Sequence, residues 1–286
     1  MTVKELQHHT LSRLLPAFDI SEARAVTGRL IKHFTTHDGL YVSLNPHTEV
    51  DSDVVASVDN AVNQLLKDKP IQYVLGETVF CGFTFFVADS VLIPRPETEE
   101  LVLWIMEENP FAGKIYDICT GSGCIAISLA KYIKSCEVFA VEISPNALNI
   151  AKKNAVLNKA RVNFREYNIL KPDFQHAVKN KFDVIVSNPP YVREVEKLLM
   201  HKRVLEYEPH LAIFVDNRNP LVFYHTILQF GQTHLTKNGK LYFEINENFG
   251  EEMINLYKEY GYEDIRLKQD IHGKDRMICG KLKSKN

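Results

Sequence analysis

Two short stretches combine residue types at spacings that can do chemistry. The first is "SNPPYV", Ser187 to Val192, which follows the apolar, β-branched run "KFDVIV". A buried strand is expected to end there. Two consecutive prolines cannot donate to a sheet ladder and hold the backbone stiff. An amide side chain, Asn188, precedes Pro189 and Pro190, and an aromatic one, Tyr191, follows. The strand therefore stops at a rigid, polar, aromatic-tipped corner, which folding alone does not require.

The second stretch is Asp117-Ile118-Cys119-Thr120-Gly121-Ser122-Gly123-Cys124, at the end of "KIYDIC" and before the helical run "IAISLAKYI". Gly121 and Gly123 allow a tight turn and close approach of backbone to a ligand, with the first N–H groups of a helix aimed at it. A tight turn without a ligand has the same pattern. A dinucleotide fingerprint wants a third glycine, and Ala126 stands there instead. The next strand ends "AVEISPNAL", which places Glu142 about twenty residues past the turn, where a carboxylate can take both hydroxyls of a ribose. Turn and carboxylate together point to an adenosine-containing cofactor. Asn168 and Ile169 end the third strand, where the edge and face of an adenine would lie.

These groups need a scaffold that brings them to one edge. From about Lys114, the strand candidates "KIYDIC", "EVFAVEI", "RVNFREY", "FDVIVS", "GKLYFEI", "DIRLKQD" and "RMICGKL" follow one another, the earlier ones separated by helical stretches. That alternation predicts a doubly wound α/β sheet with its βα loops at one edge. The strand before Asn188 lies beside the strand before Cys119 in such a sheet. Pro96 suits the first position of a helix through "PETEELVLWIMEE", and Ser144-Pro145 reads as an N-cap followed by proline. Residues 71–94 read as a β-hairpin linker with Gly82 in its turn. Residues 1–70 read as helices only: Val3 to Leu15, a second capped by Ser21 with Ile20 as staple, and a third capped by Asp51 or Ser52. The expected organisation is a helical N-terminal domain (1–70), a hairpin linker (71–94) and an α/β domain (95–286).

Composition narrows the class. The chain has 286 residues, 45% hydrophobic and 24% charged, as in ordinary globular proteins. No run of roughly 18 apolar residues occurs, so no membrane span is expected. The N-terminus lacks the continuous apolar core of a signal peptide, and the cytoplasm is the default location. Five cysteines without a CxxC pair favour reduced, mostly buried thiols over disulfides or zinc. Eleven histidines include no HExxH, so no metal is expected, and His8-His9 reads as a solvated helix face. Formal charge is −2, with 34 basic against 36 acidic residues, and only the tail "KLKSKN" is visibly basic. A grip on long nucleic acid calls for a basic patch. The balance argues against direct nucleic-acid contact, and nothing suggests an obligate dimer.

The order DxxTGSG, acidic strand end, NPPY resembles S-adenosylmethionine-dependent methyltransferases that modify planar amide or amine nitrogens. Further segments narrow the likeness. "PIQYVLGETVFCGFTFFVADSVLIPRPETEELV" (70–102), "YEPHLAIFVDNRNPLVFYHTIL" (207–228) and "HGKDRMICGK" (272–281) are similar to the release factor glutamine methyltransferases, the PrmC or HemK family. That resemblance implies a five-helix N-terminal domain that recognises the substrate protein, a hairpin linker and a class I, Rossmann-like methyltransferase domain. It implies S-adenosylmethionine as cofactor and the glutamine of the GGQ loop of peptide chain release factors as substrate. The family's cofactor loop falls on Asp117 and Cys119 to Gly123, its ribose carboxylate on Glu142, and its substrate clamp on Asn188 to Tyr191.

In that clamp, the Asn188 side-chain oxygen and the Pro189 carbonyl accept the two N–H bonds of the substrate amide. The prolines fix this geometry, and the Tyr191 ring, rather than its hydroxyl, packs on the substrate's flat face. Three departures stand out. Cys119 occupies the place of the family's usual first glycine, Glu142 replaces the commoner Asp, and "EINEN" (244–248) lacks the glycine and glutamine often found there. None removes a group the mechanism needs. The competing enzyme class is a nucleic-acid adenine or guanine N-methyltransferase, whose clamp would hold an exocyclic amine. It predicts a basic groove, whereas residues 1–70 carry seven Lys and Arg against nine Asp and Glu. An adenosine-binding interaction module would have no use for Asn188 or Tyr191. A nicotinamide dehydrogenase would need other chemistry at the fourth strand.

Overall fold

Why the first 76 residues fold into helices is legible at their caps. In the computed structural model, which describes residues 1–283, α1 (Val3–Leu14) opens with a reciprocal cap. The Glu5 amide donates to Thr2 Oγ1 at 3.3 Å, and the Thr2 amide donates to the Glu5 carboxylate at 2.8 Å. Helix α2 (Ile20–Thr35) starts from Asp19, which accepts from the Ser21 and Glu22 amides. The cap is thus two residues earlier than Ser21, because a carboxylate there satisfies two orphan N–H groups and Ser21 is already helical. Asp38 caps a short α3 (Gly39–Leu44), absent from the sequence expectation, and Asp51 precedes α4 (Ser52–Leu65). Helix α5 (Ile71–Leu75) ends at Gly76, whose φ of 74° is a left-handed stop. Leu6, Leu14, Leu30, Ile31, Val58 and Val62 make one apolar core. His9 reaches Asp59 at 3.0 Å rather than pointing only at solvent.

Residues 77 onward build the second unit. Strands β1 (Glu77–Phe80) and β2 (Phe83–Phe86) form the expected hairpin, turning through Cys81 and Gly82 at φ 47° and 74°. Pro96 opens α6 (Pro96–Glu108). Then follow β3 (Lys114–Ile118), α7 (Cys124–Tyr132), β4 (Glu137–Glu142), α8 (Pro145–Leu157), β5 (Val162–Glu166), the single turn α9 (Phe174–Ala177) and β6 (Phe182–Ser187). A two-residue strand β7 (Val192–Arg193), α10 (Lys202–Tyr207), α11 (His210–Ile213) and β8 (Phe214–Val215) come next. The chain finishes with α12 (Val222–His234), β9 (Leu235–Glu244), α13 (Gly250–Glu259), β10 (Tyr262–Gln269) and β11 (Asp275–Leu282). Ser284, Lys285 and Asn286, part of the basic tail, lie outside the described residues.

Seven strands form one sheet in the order β10-β11-β9-β6-β3-β4-β5. β9, β6, β3, β4 and β5 are parallel to one another, and β11 and β10 run antiparallel to their neighbours. The strands bury both faces, so their residues alternate between two cores. Ile115, Val184 and Val186 pack with α6, α7 and α8, whereas Tyr116, Ile118 and Ile185 pack with α12 and α13. All seven sequence-expected strands are present, with β9 starting four residues earlier than "GKLYFEI" suggests. Contacts divide the chain into two units: Met1–Gly76 with Lys202–Tyr207, and the remainder. The helical unit thus runs past Pro70 and takes in α10. No helix of the described residues is long and apolar enough to cross a membrane.

Candidate active site

The chain reverses direction across the sheet at β3: it proceeds outward through β4 and β5, then returns to place β6 on the other side of β3. Carboxyl ends of strands at such a reversal open a crevice. Here the crevice is a cavity of about 330 Å³. Cys119, Thr120, Gly121, Ser122, Glu142, Asn168, Ile169, Asn188 and Pro190 all line it. Asp117, Gly123, Pro189 and Tyr191 do not; they support its walls. A larger groove, about 650 Å³, runs along β5 past Lys152, Arg165 and Lys179, and none of the expected site residues lines it.

The loop after β3 is held by its own backbone. Cys119, Gly121 and Gly123 have φ of 64°, 53° and 80°. A Cβ on Gly123 would stand 3.0 Å from Ile127 Cδ1 and 3.2 Å from Ala151 Cβ, so only glycine lets α7 start this close to α8. Cys119 keeps a left-handed conformation that costs a side chain about 1–2 kcal/mol, and its burial raises the thiol well above its usual range. The Gly121 amide donates to Glu142 Oε2 at 3.0 Å, and the Ile143 and Ser144 amides donate to Oε1 at 2.8 and 3.0 Å. Glu142 therefore binds the two βα turns together while facing the cavity. Asn154 adds a third tie, donating to the Ser122 carbonyl at 2.9 Å and pairing with both backbone groups of Phe86.

Asp117 sits under this loop, fully buried. Its Oδ2 accepts from Thr120 Oγ1 at 2.5 Å and from the Ala126 amide at 3.2 Å, while Oδ1 has no hydrogen-bond partner among the described residues. Burial pushes its carboxyl up to about 7, against the pull of those two hydrogen bonds. It seats the loop from beneath and does not line the cavity. On the opposite wall, Asn168 Oδ1 accepts from the Leu170 amide at 3.0 Å, and Ile169 is buried.

The corner after β6 is held differently. Ser187 Oγ donates to the Ile118 carbonyl at 2.6 Å, locking β6 to β3 where both end. Asn188 Nδ2 donates to Thr98 Oγ1 at 3.4 Å, and Thr98 Oγ1 donates to Glu244 Oε2 at 2.6 Å. The Tyr191 hydroxyl donates to Glu244 Oε1 at 3.0 Å, and the Tyr224 hydroxyl donates to the Glu244 carbonyl at 3.1 Å. Glu244 is 2% exposed, and burial raises its carboxyl above the ordinary range. Burial, then the neighbouring Glu244, raises the Tyr191 phenol too. The Tyr191 ring packs against the core that includes Tyr224 and Ile245. Its hydroxyl is thus an anchor, where sequence reasoning gave weight to the ring face alone.

Sequence reasoning missed Thr98, Glu244, Arg95 and Glu208. Arg95 lines the cavity and pairs with the buried Glu208, which also accepts from the Ile93 amide at 3.3 Å. That pair joins the "IPRPETE" segment to "YEPHLA", whose Pro209, Leu211 and Ala212 close another side. One signal was available for Glu244: a lone carboxylate inside the apolar strand "KLYFEI" is costly unless something donates to it.

Comparison with known proteins places this geometry. The Methyltransferase small domain model matches residues 97–211, and the PrmC N-terminal domain model matches residues 5–76. A release factor glutamine methyltransferase of Flavobacterium psychrophilum is 44% identical over 97% of this chain and 98% of its own length. One from Bacteroides thetaiotaomicron is 48% identical over 77% of this chain and 79% of its own. Among solved structures, a methyltransferase from Pyrococcus furiosus superposes with a TM-score of 0.54 at 18% identity, covering 78% of this chain and 98% of that one, which establishes the shared fold. The chain belongs to the release factor glutamine methyltransferase family.

Proposed function

We propose that the protein transfers a methyl group from S-adenosylmethionine to the side-chain amide nitrogen of the glutamine in the GGQ loop of peptide chain release factors. The observation that carries this reading is the Asn188 amide. Its nitrogen is committed to Thr98 and its oxygen accepts no hydrogen bond among the described residues, in the same cavity as the Cys119–Ser122 loop and Glu142. An unfilled acceptor on a rigid corner suits a substrate that brings N–H groups. Kinship with the release factor glutamine methyltransferases supports the same substrate.

The residues fit the cofactor. The cavity lies within the roughly 300–1,000 Å³ typical of small-molecule sites, with apolar walls and few polar groups. Glu142 has lone-pair capacity left for one ribose hydroxyl, since a carboxylate offers about four sites and three backbone N–H groups are in use. The Cys119–Ser122 turn would hold the amino acid part, and Asn168 and Ile169 the adenine. When bound, S-adenosylmethionine supplies an electrophilic methyl group.

The chain's own task is aim. An amide nitrogen shares its lone pair with the carbonyl and attacks poorly unless oriented. Asn188 Oδ1 and the Pro189 carbonyl take its two N–H groups, and the two prolines fix both acceptors before the substrate arrives. Orientation of this kind can supply several kcal/mol of a barrier. The helical unit, with seven basic and nine acidic residues in 1–70, serves recognition of a protein surface rather than nucleic acid. The enzyme acts in the cytoplasm as a monomer.

Radiolabelled methyl transfer to purified release factor, set against ribosomal RNA, tRNA and DNA, tests the reading. Label should appear on release factor and map to the GGQ peptide. Label on nucleic acid alone would replace this function with the exocyclic-amine alternative.

A further inference from the structure

We propose that Thr98 and Glu244 are positioning residues that fix which end of the Asn188 side-chain amide faces the substrate, and so make the site select a group bearing N–H donors. This rests on the reading of Asn188 as acceptor for the substrate amide.

The argument is one of proton counting. Glu244 ends β9 almost fully buried, and two side-chain donors reach its carboxylate among the described residues: the Thr98 hydroxyl at 2.6 Å and the Tyr191 hydroxyl at 3.0 Å. The nearby Arg276 is spent elsewhere, on Asp270, Glu247 and the Ile245 carbonyl. A threonine hydroxyl has one proton and two lone pairs. With its proton given to Glu244, Thr98 can only accept from Asn188, 3.4 Å away. Asn188 therefore turns its NH₂ to Thr98 and its oxygen to the cavity.

The flipped amide would set an oxygen against the Thr98 lone pairs. It would also present two donors to a substrate nitrogen that itself carries two N–H groups. That orientation suits a carboxylate instead. The Glu244–Thr98 polarity thus favours glutamine over glutamate at the same place. Thr98 is 2% exposed in the first turn of α6, and Glu244 lies 146 positions away in sequence. Thr98 also lines the cavity, and both residues act through the amide they orient.

The test compares Thr98→Val, which keeps the shape but lacks the hydroxyl, with Thr98→Ser, which restores it. Thr98→Val is expected to lower kcat on release factor about tenfold, the rate equivalent of one hydrogen bond. The dissociation constant for S-adenosylmethionine should stay unchanged, and Thr98→Ser should return most of the rate. Release factor with its GGQ glutamine replaced by glutamate should inhibit the wild-type enzyme weakly and Thr98→Val more strongly. A readout free of turnover is the Asn188 side-chain NH₂ pair by ¹⁵N NMR. One proton should be shielded from solvent exchange in the wild type and in Thr98→Ser, and neither in Thr98→Val. Wild-type kcat in Thr98→Val, or a serine variant as slow as the valine one, overturns the proposal. If the wild-type enzyme leaves release factor unmethylated, the substrate reading falls, and the NMR pattern still decides the amide's orientation by itself.

Discussion

The two sides of the cavity are built by opposite means. The turn after β3 is a backbone object: left-handed residues at 119, 121 and 123, and amides of Gly121, Ile143 and Ser144 converging on one carboxylate. The corner after β6 is a side-chain object: Asn188, Thr98, Tyr191 and Glu244 joined through hydroxyls. A backbone cradle tolerates changes of side chain as long as φ is kept, which is how Cys119 can stand where relatives are expected to carry glycine. A side-chain relay tolerates little, since each member has a fixed count of protons and lone pairs. The cradle suits a ligand with the same shape every time, and the relay suits an atom that must be aimed.

Substitutions can break that contrast one member at a time. Asn188→Ala removes the acceptor while sparing the cradle, and turnover in a single-turnover assay should fall by roughly two to three orders of magnitude, as for a preorganised catalytic hydrogen bond. A folded variant methylating at the wild-type rate would show that the corner does not aim the substrate. Glu142→Ala strikes the cradle. Cofactor affinity should drop by roughly one to two orders, about the 1.5–3 kcal/mol of a hydrogen bond to a charged group. Since Glu142 also ties Gly121 to Ser144, the melting temperature should fall with it. Calorimetry giving an unaltered dissociation constant would remove Glu142 from the binding site.

Tyr191→Phe keeps the ring and strands Glu244 Oε1 without its donor. A loss of about 1–3 kcal/mol of folding stability is expected from the unsatisfied buried carboxylate, read by urea unfolding. Equal stability would mean that water or Arg276 replaces the hydroxyl.

The last effect is a change of slope with pH, and it belongs to Asp117. Its carboxyl rises from an ordinary 3.8 to about 7 in the folded protein, so the folded state holds the proton that the unfolded chain has lost. Its contribution to stability is complete below about pH 4 and disappears as pH rises through about 7. Asp117→Asn should flatten the decline in melting temperature between about pH 4 and about pH 7. An unchanged slope would place that decline in other groups.

The same contrast explains what could be read from the chain itself. The cradle was legible because its parts lie within 26 residues, Asp117 to Glu142, and each announces a local conformation: glycine for positive φ, an acidic residue at a strand end. The seven strands and the cap at Ser144 were legible for the same reason. At the corner, NPPY was visible, but the residues holding it were not. Thr98 and Glu244 come from α6 and β9, and only the completed sheet, with β9 beside β6, brings them together. The Tyr191 hydroxyl could not be weighed while its partner was unknown. Local order misled at Ser21, where the stronger cap was Asp19, and over α3, whose six residues are too few for a periodic signal.

Helix α10 has a consequence for the order in which the protein is made. Residues 202–207 belong with the N-terminal helices: the Tyr207 hydroxyl donates to the Lys67 carbonyl at 2.5 Å, Arg203 pairs with Glu22 at 3.4 Å, and its guanidinium lies over the Phe18 ring. A ribosome releases the first 76 residues long before this segment. The helical unit therefore waits, with the Phe18 face and the end of α4 still bare, until more than two thirds of the chain has been synthesised. Nascent chains stalled with residue 201 just outside the exit tunnel should be cut by protease within residues 1–76 more readily than chains stalled ten residues later.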